Sequence, residues 1–138
     1  MTDPELIAKK LAAIETFVSE LRRLARPSEI HNDIREQRFV QHTLQLAIQS
    51  ALDVASHIVS DERLGEPRTS RELFDSLESA GWIPAELART LRNMAGFRNL
   101  LVHGYDVVDL GIVEDVIRNR LDDLLVFVSL IRGRLPPA

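Results

Sequence analysis

The chain has 138 residues, no cysteine and a formal net charge of −4. That length fits one domain spanning residues 1–138, able to bury roughly 68–70% of its unfolded surface and so to fold without disulfides or metal. The missing cysteine excludes disulfide frameworks, thiolate zinc sites and a thiol nucleophile, and the acidic balance excludes a broad basic face for gripping nucleic acid.

Met1-Thr2-Asp3-Pro4-Glu5 lacks the basic and then apolar character of a secretion signal, and no apolar run approaches the roughly 20 residues that span a bilayer. The expectation is a cytoplasmic protein with no membrane partner. Only Lys9 and Lys10 among the 17 basic residues are lysines. Arginine is the better bidentate phosphate ligand, although codon usage alone accounts for such a bias.

Apolar residues recur at helical spacing throughout, with no sustained alternation that would mark a sheet. Asp3 before Pro4 predicts a helix start, and Ile7, Leu11, Ile14, Val18 and Leu21 form a stripe ending near Leu24, before Pro27. His31, Asn32 and Asp33 open a second helix, with Glu36 placed for a capping box. Its stripe is Val40, Leu44, Ile48, Ala51, Ala55 and Ile58, and it reaches about Ser60. Leu64 to Arg68 reads as a loop. Ser70 then caps a short helix carrying Leu73 and Leu77 and ending near Gly81.

Pro84 starts the next helix, with Trp82 expected to staple its beginning. Leu87, Leu91 and Met94 form its stripe, and Arg98 continues that seam, only about 20° from Leu91 on a helical wheel. Burying an unpaired guanidinium costs several kcal/mol, so Arg98 should face an interface, a cleft or an acid such as Asp53. His103 lies about 140° further round, so the two side chains diverge on a regular helix. Gly104 as a terminator would let His103 sit at a fraying end and turn back towards Arg98. Asp106 or Asp109 caps one last helix, striped by Val113, Ile117, Leu121, Leu124, Val128 and Ile131. The expected architecture is all-α: an up-and-down bundle of four main helices plus a short extra one. His31, His42 and His57 show no metal-ligand spacing and are assigned to caps and solvated faces.

Arg98-Asn99, then His103, then Tyr105, forms an Arg-x4-His-x-Tyr pattern on the penultimate main helix of an all-α chain. With Phe39 to Ala55 and Met94 to His103 around it, this pattern resembles the HEPN superfamily, specifically the HepT-like toxins of HEPN and MNT toxin–antitoxin pairs. The similarity runs from about Leu6 to Arg132.

The resemblance implies a metal-independent endoribonuclease without a cofactor, working as a homodimer on an RNA substrate. Arg98 and His103 take the catalytic positions, and Asn99 supports them. Tyr105 matches the tyrosine that an MNT-type nucleotidyltransferase antitoxin modifies with AMP. A guanidinium that fits phosphate and an imidazole that titrates near neutral pH suit phosphodiester chemistry. The rival readings are a non-catalytic helical module of the same superfamily that binds nucleotide or protein, and a structural dimerisation domain.

Overall fold

The computed structural model describes residues 3–103 and 108–136. Its helices are α1 (Pro4–Leu24), α2 (Ile34–Asp61), α3 (Ser70–Ser79), α4 (Ala85–His103), α5 (Leu110–Asn119) and α6 (Leu121–Arg134), with a 3-10 turn at Pro27–Glu29. There is no strand among the described residues. The all-α bundle expected from the sequence is the architecture observed.

Helix α1 starts where Asp3 Oδ1 accepts hydrogen bonds from the backbone N–H groups of Glu5 and Leu6, at 3.1 and 3.2 Å. All five residues of its predicted stripe are buried. The six stripe residues of α2 are buried too. Its cap is simpler than expected, because Asp33 accepts from Arg35 N while Glu36 turns away from the cap. The Glu36 carboxylate instead accepts from Arg26 N at 2.6 Å, tying the start of α2 to the end of the α1 segment. A tertiary donor has displaced the local one.

Two other boundaries differ from the sequence reading. Thr69, not Ser70, caps α3, in a reciprocal capping box with Glu72. Phe74 and Leu77 are its buried residues, whereas Leu73 is only partly buried. The final helix is two: α5 is capped by Asp109 and stops at Asn119, and α6 begins at Leu121 after Arg120 leaves helical geometry (φ −120°, ψ −2°). All six residues of the predicted final stripe are nevertheless buried.

Polar links fix the directions of the helices. Lys10–Asp53 at 3.1 Å, together with the Arg26–Glu36 bond near the turn, sets α1 antiparallel to α2. Arg132–Glu15 at 2.7 Å and the Arg22–Asp122 pair set α6 antiparallel to α1. The hydrogen bond from Arg132 holds the Glu15 carboxyl below its ordinary range, outweighing the opposing effect of burial. Arg92 donates to Asp75 at 2.9 Å and to Glu78 at 3.1 Å, tying α4 to α3. Between these two helices Gly81 (φ +81°) supplies the left-handed residue of a C-terminal turn, in which Trp82 N reaches back to Leu77 O at 2.9 Å. Trp82 is buried and lies under the guanidinium of Arg134, 4.1 Å from the ring centroid. It therefore anchors α6 as well as the approach to α4.

Phe74 and Phe127 meet edge to face in the core, with ring centroids 6.0 Å apart. Burying each such side chain contributes about 1.5–3 kcal/mol. No helix among the described residues is long and apolar enough to cross a membrane.

Candidate functional site

The candidate site is built on the second half of α4. Leu87, Leu91 and Met94 bury one side of this helix, as their spacing requires, and Leu101 continues it. Arg98 falls within that apolar seam and is partly buried. Its Nη1 donates to Asn99 Oδ1 at 3.0 Å, while its Nε is buried without a hydrogen-bond partner. Gln41 Oε1 and Gln49 Oε1 are the other such atoms among the described residues, so Arg98 is the charged one.

The acid considered from sequence is not its partner. Asp53 accepts from Lys10 Nζ at 3.1 Å and from Gln49 Nε2 at 2.8 Å, and none of the ion pairs among the described residues includes Arg98. A guanidinium with a buried, unmatched donor carries a penalty of about 1–3 kcal/mol or more. Native structures seldom keep such a group without a reason, which marks Arg98 as a functional candidate.

His103 is the last residue of α4 and is exposed. The helix stays regular up to it, so the expected fraying back towards Arg98 does not occur within the described residues. Asn99 closes the angular gap instead. It lies about 40° from His103 and one turn before it, in the i, i+4 relation that makes helix side chains neighbours. The Arg98–Asn99 bond draws one arm of the guanidinium towards that same face. Arg98 and Asn99 are thus joined directly, and His103 stands next to Asn99. Tyr105, like Gly104 and Asp106, lies outside the described residues. The surface beside the site is apolar, with Leu100 and Val102 exposed by 47% and 48%.

The remaining histidines are scattered as expected. His31 Nε2 lies 3.2 Å from Glu114 Oε1, His42 is exposed and His57 is partly buried. The hydrogen bond from Arg118, ahead of that from His31, holds the Glu114 carboxyl below its ordinary range. Among the described residues no group of three or more His, Asp or Glu side chains is gathered as a metal ion would need.

One residue near the site has no counterpart in the sequence reading. Arg71, in the first turn of α3, lays its guanidinium over Gly96, where a Cβ would come within 3.1 Å of Arg71 Nη1. The sequence signal for this was a glycine in the interior of an otherwise strong helix, which often marks close approach by another group.

The all-α bundle thus carries Arg98, Asn99 and His103 at the end of its fourth helix. The chain matches the ribonuclease HepT-like family over residues 7–131 and belongs to that family. It is 30% identical to the mRNA nuclease HepT of Shewanella oneidensis over 130 residues, covering 94% of this chain and 98% of the relative. It is 29% identical to the tRNA nuclease HepT of Aphanizomenon flos-aquae over 135 residues, covering 96% and 92%. Among solved structures, the tri-AMPylated Shewanella oneidensis HEPN toxin in complex with its MNT antitoxin superposes with a TM-score of 0.87 at 30% identity, covering 97% of this chain and 100% of that one. By family, therefore, the chain is an endoribonuclease.

Proposed function

We propose that the chain, acting as one domain over residues 1–138, is the toxin of a HEPN and MNT pair: a cytoplasmic, metal-independent endoribonuclease that needs no cofactor. The observation that carries this reading is Arg98, a partly buried guanidinium with an unmatched buried Nε and one arm on Asn99, beside an exposed His103.

In the proposed reaction the 2′-hydroxyl of RNA attacks the adjacent phosphorus. The O2′–P bond forms, the P–O5′ bond breaks, one proton leaves O2′ and one arrives at O5′. His103 moves one of these protons, a role typically worth about 10²–10⁴-fold. Arg98 neutralises the charge that builds on the non-bridging oxygens, and Asn99 orients it. The products are a 2′,3′-cyclic phosphate and a 5′-hydroxyl.

This site reads ribose and phosphate rather than base edges, which fits relatives named for different RNA classes, mRNA in one case and tRNA in the other. A homodimer agrees with the exposed Leu100 and Val102 flanking the site, which a second copy would cover.

The test is incubation of the purified protein with total RNA in EDTA and with an all-deoxy strand of matched sequence. RNA fragments with cyclic-phosphate ends, and an untouched deoxy strand, are the expected result. Cleavage that EDTA abolishes, or ends carrying a 5′-phosphate, would refute the mechanism. Absence of cleavage by the folded, unmodified chain would favour the non-catalytic binding module.

Tyr105 is the proposed site of control by an MNT-type nucleotidyltransferase antitoxin, as the AMPylated relative suggests. AMP on a phenol two residues from His103 would place anionic phosphate where the RNA backbone runs, blocking it by bulk and by charge. Treating the unsubstituted chain with antitoxin and ATP is expected to add AMP and silence cleavage, and Tyr105→Phe should keep its activity. Loss of activity in both chains would argue for a different modified residue.

A further inference from the structure

Helix α4 presents Gly96, Asn99 and His103 at spacings of three and four, so they share one face. His103 stands about 10 Å along that face from Gly96, and side chains on a helix lean towards its N-terminus, which here is towards Gly96. The guanidinium of Arg71 occupies the space above Gly96. Two features leave it available. The acid one turn along its own helix, Asp75, is engaged by Arg92, as is Glu78. Arg71 itself is exposed and has neither an ion pair nor a hydrogen bond among the described residues. It also sits in the first turn of α3, where the helix dipole favours an anion.

We infer that Arg71 is a substrate-binding residue, contacting a phosphate of the RNA strand that flanks the bond cleaved at His103, and that Gly96 keeps the space this contact needs. The inference rests on the proposed ribonuclease reading and adds a second cation on the His103 face. Arg98 acts at the reacting phosphate; Arg71 holds the strand in register. A protein with net charge −4 has to gain its grip on RNA from such local arginines rather than from a general field.

The experiment compares RNA cleavage kinetics and salt dependence in the full-length protein carrying Arg71→Ala, Gly96→Ala, or both. Arg71→Ala is expected to raise KM about tenfold with kcat nearly unchanged, the size of one lost charge-assisted contact. The slope of log affinity against log salt, measured on the inactive His103→Ala background, should be shallower by about 0.7, as for one released counterion on a single strand.

Gly96→Ala separates this from a structural role. Alanine is the better helix former and its Cβ displaces only the end of a flexible side chain, by a few tenths of an ångström, so the melting temperature should rise while KM rises by less than in Arg71→Ala. The double variant should show no further increase in KM over Arg71→Ala, as coupled neighbours do. If the unsubstituted chain cleaves RNA and Arg71→Ala lowers only the melting temperature, leaving KM and the salt slope unchanged, the inference is overturned while the ribonuclease reading stands. If the unsubstituted chain neither cleaves nor binds RNA, both fall together.

Discussion

Replacing His103 with alanine is expected to reduce RNA cleavage about 10²–10⁴-fold at saturating substrate, with little change in KM or in melting temperature. The separation of these effects follows from position. His103 is exposed on the last turn of α4 and outside the buried seam of that helix, so its removal opens no cavity. In the proposed reaction the phosphate contacts belong to the arginines, so His103 is not needed to hold RNA. A lost proton-transfer group lowers kcat and kcat/KM together. Single-turnover rates on a short RNA, compared with thermal unfolding of both proteins, give the answer. Equal cleavage by the variant would remove His103 from the chemistry, and a fall in melting temperature that matches the fall in rate would make its role structural.

The core was legible in the sequence because apolar spacing reports directly which face of a helix is buried. Ile7 to Leu21 on α1 and Val40 to Ile58 on α2 are buried as their periods require. The same signal is blind to the backbone between stripe residues. Val113, Ile117, Leu121 and Leu124 run on at spacings of four, four and three, so nothing in them reveals that Arg120 interrupts the helix. Caps were legible to within one residue. Thr69 and Ser70 both offer a hydroxyl, and the deciding feature is that Glu72 stands three after Thr69. Glu36 satisfied the same rule after Asp33, yet the structure commits it to Arg26 N, a contact that no local pattern encodes.

At the site, the position of Arg98 in an apolar seam was readable, and its partial burial follows from it. The contact that joins the site was not. A wheel places Arg98 and His103 apart, and a broken helix end was the expected remedy; the structure instead bonds Arg98 to Asn99, which lies one helical turn before His103. Arg71 was invisible for a different reason, since only the packing of α3 against α4 brings it over Gly96.

Arg98→Ala is expected to cost about 10²–10³-fold in cleavage rate, the usual effect of deleting a preorganised donor to a transition-state oxygen. Arg98→Lys should lose nearly as much. Its ammonium keeps the charge but cannot place one arm on Asn99 Oδ1 and another on a phosphate oxygen, as a planar fork can. Asn99→Ala, which frees the guanidinium without removing it, should fall between these variants and the unsubstituted chain, with about a tenfold loss of the order expected for one charge-assisted hydrogen bond. Stability should move the other way. Arg98 Nε is buried without a partner within an otherwise apolar seam, so Arg98→Leu removes an unmet donor and extends the stripe of Leu91 and Met94. An unchanged or higher melting temperature, with cleavage nearly abolished, is the signature of a residue kept for chemistry at the expense of the fold. Thermal unfolding of Arg98→Leu beside its single-turnover rate decides the matter. A variant that loses several degrees of melting temperature would identify Arg98 as a structural residue, and one that retains its rate would move phosphate stabilisation elsewhere on α4.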